Sequence, residues 1–227
     1  MVFSFLGFGK KKPKLKLEPK HEVELEFVNG ENIDAYFTRV LQLEKKRIVV
    51  QVPTQNKVQV DVSPGDMVTV TYLDGDILYT FRTNVLDRKD REMDLAYPSE
   101  VKEEKTSIRD ENFTIDLPIP VEYRAMSMAH LQTATTRSIH QNGIDILTNL
   151  PIPPGTSLHI ELEIPGTSSI KTQGKVSQSQ KLPNERKALT QIEFEDISTA
   201  DREVIFRYAI FYRQRQARKE AILQQQG

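Results

Sequence analysis

The sequence predicts a mainly β protein: two small antiparallel β-barrels followed by one α-helix. Three observations carry that expectation. Short runs rich in Val, Ile, Thr, Tyr and Phe recur along the chain, and turn signals with Gly, Pro, Asn or Asp separate them. A helical apolar period then appears near the C-terminus.

Taken in order, residues 23–27 alternate apolar and acidic side chains, as a strand does with Glu24 and Glu26 on a solvated face. Asn29-Gly30 supplies hairpin chemistry directly after it. Strands are expected at residues 47–53, 67–72 and 77–81, the last two joined by Asp74-Gly75. Residues 99–112 are charged and almost free of large apolar side chains, which reads as an interdomain linker. A second set of strands is expected at 114–123, 133–139, 144–147, 158–164, 170–176 and 189–194. Ser198 or Thr199 can cap the final helix, whose Ile205, Tyr208, Ala209 and Tyr212 fall on one face. Ser63-Pro-Gly-Asp66 is echoed by Pro153-Pro-Gly-Thr156, one turn of this kind in each barrel. The expected organisation is a tail at 1–17, a first barrel at 18–98, the linker, a second barrel with its helix at 113–219, and a tail at 220–227.

Composition narrows the function. With 227 residues and 38% hydrophobic content, the chain can build buried cores. It has no cysteine, so disulfides, thiolate metal sites and cysteine nucleophiles are excluded. A net charge of −1 argues against a globally basic nucleic-acid binder. His21, His130, His140 and His159 show no metal-ligand spacing, and no phosphate loop, nucleophile elbow or zinc-protease motif occurs. No enzyme is expected, and no metal or resident cofactor.

The near-neutral total hides two basic ends. Phe3, Phe5, Leu6 and Phe8 precede Lys10, Lys11, Lys12 and Lys14, the reverse of a secretory signal. One reading is a peripheral anchor, rings in the interface and lysines on anionic headgroups; the other is a solvated or partner-docking peptide. Arg213, Arg215, Arg218 and Lys219 follow the apolar face of the helix, either as a solvated extension or as a contact for an acidic partner or membrane.

Residues 117–124 (Leu-Pro-Ile-Pro-Val-Glu-Tyr-Arg), 136–144 (Thr-Arg-Ser-Ile-His-Gln-Asn-Gly-Ile) and Pro154-Gly-Thr156 together resemble a PilZ domain. Residues 201–215 look like that family's C-terminal helix. The preceding segment, with Val52-Pro53, Pro64-Gly65-Asp66, Tyr79-Thr-Phe81 and Pro98, is similar to the N-terminal domain of two-domain flagellar-brake proteins. The resemblance implies two barrels and a cyclic di-GMP position at their junction, built from an Arg-x-x-x-Arg linker and an Asp/Asn-x-Ser-x-x-Gly motif. Guanidinium groups suit guanine edges, faces and phosphates.

Here the arginine positions fall on Asp110 and Thr114, with Arg109 beside them, and the second motif reads Ser138, His140 and Gly143. Arg124 and Arg137 are further guanidinium candidates. An Asp in place of an Arg repels a dianion. The expectation is therefore a cytoplasmic, non-enzymatic regulator of flagellar motility or surface behaviour with a degenerate cyclic di-GMP site. It would act on the flagellar motor or other envelope-associated machinery, and contact of its N-terminus with the inner membrane face is a secondary expectation beside the solvated tail. The alternatives are a genuine cyclic di-GMP receptor with nonstandard contacts and, third, a nucleic-acid-binding barrel protein.

Overall fold

Gly30, at a φ of 62°, turns β1 (Glu22–Asn29) into β2 (Asn32–Leu43), with Asn29 paired to Asn32. Positive φ costs glycine nothing, which is why Asn-Gly marks the hairpin. The computed structural model describes residues 15–224 apart from 31, 56–57, 107–113, 129, 141, 166–168 and 184. It divides into two units, Met1–Lys105 and Thr106–Gly227.

In the first unit, β3 (Arg47–Gln51), β6 (Met67–Asp74), β7 (Ile77–Lys89) and β8 (Glu92–Ala96) join β1 and β2. A two-stranded ribbon, β4 (Thr54–Gln55) and β5 (Val58–Gln59), lies between β3 and β6. The order β6-β1-β2-β3-β8-β7 closes through β6–β7 into a barrel. β9 (Lys102–Lys105), inside the segment read as linker, pairs with the start of β7.

The core holds Val23, Leu25, Val50, Val70, Phe81 and Leu95, with Tyr72 stacked on its cross-strand partner Tyr79 at 4.9 Å and 10°. Leu15 and Leu17 are buried in the same core, and the Lys16 amide donates to the Tyr72 hydroxyl at 3.2 Å. Burial pushes the Tyr72 phenol well above its ordinary pKa.

The second unit repeats the plan with β11 (Pro120–Ala125), β12 (Gln132–His140), β13 (Gly143–Thr148), β14 (Ser157–Leu162), β15 (Ile170–Lys181) and β16 (Ala188–Phe194). The order β12-β11-β14-β15-β16-β13 closes through β12–β13, and β10 (Thr114–Asp116) adds to β12. Numbered along the chain, the six strands of each barrel run round it in one order: first, second, third, sixth, fifth, fourth.

The Pro-Gly turns also match. Gly65 and Gly155, at φ 97° and 84°, each donate an amide to the fifth strand, to Val85 and Val176 at 2.8 Å. Each barrel carries a β-bulge between its second and third strands and another between its fifth and sixth.

Three expectations change. Residues 114–123 are not one strand: β10 and β11 are separated by Leu117–Ile119, because Pro118 and Pro120 lack the amide hydrogens a ladder needs. The buried Thr136 hydroxyl takes over, accepting the Ile119 amide at 2.7 Å and donating to the Leu117 carbonyl. Second, Glu24 and Glu26 are 0% and 2% exposed rather than solvated; alternation says which face is apolar, not whether the other is covered. Third, β2 and β8 lie where the sequence reading placed no strand.

α1 (Thr199–Gln224) starts at Ser198, whose hydroxyl accepts the Asp201 amide at 3.0 Å and donates to its carboxylate at 2.7 Å. Ile205, Tyr208 and Ala209 are buried as the period implies, together with Ile210 and Phe211, while Tyr212 is half-buried.

Candidate functional site

The motif-bearing residues of the second barrel meet on three strands. A two-residue connection places His140 opposite Gly143 and Ser138 opposite Asp145. β10 lies on the other edge of β12, with Thr114 opposite His140 and Asp116 opposite Ser138. Residues directly opposite share a face, so Thr114, Asp116, Ser138, His140, Gly143 and Asp145 form one polar face, while Ile139 and Ile144 point into the core.

Two contacts fix its chemistry. The Ser138 hydroxyl donates to Asp145 Oδ2 at 2.6 Å, and Asp145 Oδ1 is buried without a hydrogen bond among the described residues. Gly143 is tightly packed: a Cβ there would lie 1.9 Å from the Ile192 carbonyl oxygen and 2.9 Å from the His140 ring. As a sequence pair, Asn142-Gly143 is a turn signal in which the glycine takes positive φ. Gly143 instead begins β13, without positive φ, and its missing side chain admits the β16 backbone.

Two stretches of the chain match known families. Residues 18–101 match the family described as Flagellar protein YcgR, and residues 106–211 match the PilZ domain. The chain belongs to the two-domain PilZ proteins.

Among solved structures, the PilZ chain is similar to the Bacillus subtilis inhibitor of motility (MotI/DgrA) at 18% identity, covering 87% of this chain and 98% of that one, with a TM-score of 0.41. It is similar to K. pneumonia MrkH in complex with c-di-GMP at 13% identity, covering 87% and 90%, with a TM-score of 0.41. It is also similar to Escherichia coli YcgR in complex with c-di-GMP at 13% identity, covering 89% and 87%, with a TM-score of 0.37. No curated protein sequence matches the chain.

The PilZ barrel gathers only part of the expected site. Arg109 and Asp110 lie outside the described residues, as do Phe3, Phe5, Phe8, Lys10, Lys11 and Lys12. Arg137 is the extra residue of the β12–β13 bulge and is exposed, next to Ser138. Arg124 is elsewhere: Tyr123 pairs with Gln132, so Arg124 is about 20 Å along the sheet from Ser138 at the usual rise per residue.

At the C-terminus Arg213 is exposed, but Arg215 is half-buried, its guanidinium 5.7 Å from the Tyr212 ring and 6.0 Å from that of Tyr208. Asp116 and Asp145 were missed by the sequence reading. The two-residue connection before Gly143 carried the signal for Asp145, because it sets position 138 opposite position 145. Among the described residues no His/Cys/Asp/Glu group could hold a metal, and no helix is long and apolar enough to cross a membrane.

Proposed function

We propose that this chain is a cytoplasmic, non-enzymatic regulator of flagellar motility or surface behaviour. It works through contacts with the flagellar motor or other envelope-associated machinery. The observation that supports this best is the order of its two family matches, a flagellar-protein domain followed directly by a PilZ domain. In the PilZ barrel the position expected to clasp a cyclic dinucleotide has Thr114 in place of a guanidinium and the carboxylates Asp116 and Asp145 on the same face. A dianionic ligand is repelled there, which favours an altered, degenerate site. Deletion of the gene should change the swimming zone in soft agar, with restoration by the full chain. Unchanged swimming, with no motor, stator or envelope partner recovered by pull-down, would contradict the proposal.

One observation favours a second reading, a cyclic di-GMP receptor with nonstandard contacts: the bulge presents Arg137 to solvent beside Ser138 and Asp145. Calorimetric binding abolished by Arg137→Ala would establish that reading in place of the first. The aromatic and lysine-rich N-terminus is proposed as a contact with the inner membrane face. Liposome co-sedimentation of the full chain against one lacking residues 1–14 tests it, since Leu15 and Leu17 belong to the barrel core. Equal sedimentation would end that idea.

A further inference from the structure

The outer face of β11, β14 and β15 carries an unabsorbed set of charges. Register places Arg124 opposite His159 and, two residues along, Glu122 opposite Glu161. The next strand sets Gln173 beside His159 and Lys171 beside Glu161. These side chains, with Leu131, line an open groove of about 510 Å³. Glu161 is engaged: the Ser169 hydroxyl donates to it at 2.7 Å and Lys171 Nζ lies 3.2 Å away, which together hold its carboxyl below the usual range. Arg124 and Glu122 make no hydrogen bond or ion pair among the described residues, although both are half-buried. Asp196 also lines the groove, but its carboxylate is taken up by the Gln173 amide and the Thr172 hydroxyl, so one end offers a guanidinium with an imidazole and the other a free carboxylate.

Beside the groove, the connection from β11 to β12 exposes three large apolar side chains, Met126 at 47%, Met128 at 55% and Leu131 at 58%. Its base is fixed, since the Met126 amide donates to the Ser157 carbonyl and the Met128 amide to that of Ala125. Exposed apolar clusters rimmed by charge mark protein contact sites, and methionine adapts its shape to a partner. The corresponding residues of the first barrel, Glu24, Glu26, Thr69 and Thr71, are buried, so the exposed charges here are particular to the second barrel.

We infer that this groove docks an extended segment of a partner protein. The segment places an acidic side chain on Arg124 and His159, a basic one on Glu122, and an apolar one against Leu131 and the two methionines. The opposite charges sit two residues apart on β11, about 7 Å, the repeat of alternate side chains on an extended chain. The inference rests on the protein-contact reading above and names its surface.

The test places a photo-cross-linking amino acid at Leu131 of the full chain in living cells, with the 75% exposed Leu150 as control position. Mass spectrometry identifies the captured peptide. The expected result is a cross-link from position 131, absent from position 150, to a segment of another protein with opposite charges two residues apart. Arg124→Glu and, independently, Glu122→Lys should each reduce its yield about tenfold, with melting curves unchanged. No cross-link, a cross-link to a second copy of this chain, or a yield indifferent to both reversals would overturn it. Capture of a partner unrelated to motility would remove the motility reading and leave the groove assignment standing.

Discussion

Arg47 and Gly143 hold the same place in two barrels of one strand order, and they use it in opposite ways. Each begins the third strand, five residues after the residue that follows the bulge, Gln42 or Ser138. In the first barrel the Arg47 guanidinium bridges the face, bound to Glu44 at 2.7 and 2.8 Å and to Asp94 at 2.6 Å, and lines an open pocket of about 320 Å³. That network holds the Glu44 carboxyl below its usual range. In the PilZ barrel no side chain reaches out from this position; the β16 backbone comes in close, and Ser138, His140 and Asp145 stay along the face. One topology can carry a face bridged by its own ion pairs or one whose polar groups are held close to the strands, Ser138 buried on Asp145 and Asp145 Oδ1 left without a hydrogen bond among the described residues.

The sharpest way to break the comparison is Gly143→Ala. A methyl group against a main-chain oxygen cannot be relieved by a rotamer change, so a loss of about 3 kcal/mol is expected in denaturant unfolding. An unchanged midpoint would show that β13 and β16 can part, and the distinction from Arg47 would lapse. Next comes Thr136→Val, which strands the Ile119 amide in a buried site and should cost about 2 kcal/mol; equal stability would show that the proline break needs no anchor.

Arg47→Ala should lower the melting temperature less than either, and the difference should shrink in molar salt, because the ion pairs are partly exposed. A larger effect than that of Gly143→Ala would reverse the ranking. The smallest effect concerns Asp196, whose carboxylate accepts the Gln173 amide at 2.5 Å and the Thr172 hydroxyl at 2.9 Å and is thereby held below the usual range. A lowered folded pKa stabilises fully above the unfolded value, near 3.9, and the gain is lost as pH falls through the folded value. The stability difference between the wild type and Asp196→Asn should therefore vanish on acidification below that window and stay constant from pH 5 upward.

Much of this was legible in the sequence. Asn29-Gly30, both Pro-Gly turns, the strands with strong β-branched runs and the capped helix all appear near their expected places, because each rests on local chemistry. β2 was missed although the hairpin signal before it demanded a partner strand, since Asn32–Leu43 mixes polar residues on both faces. β7 runs on to Lys89, past the apolar run at 77–81, because its second half gains its place from β8 rather than from its own composition. For the site, residue types were legible but their neighbours were not. Asp116 joins Ser138 only through the register of β10, and Arg124 leaves the face only through the register of β11. The reason Gly143 must be glycine lies fifty residues away in β16, where no local pattern points.

The chain keeps the PilZ fold, and the central proposal is that its motif face does not clasp cyclic di-GMP in the standard way. Isothermal titration of the full chain with cyclic di-GMP tests it most directly. The expected result is no saturable heat up to about 100 µM ligand. Micromolar binding that Arg109→Ala abolishes would contradict it.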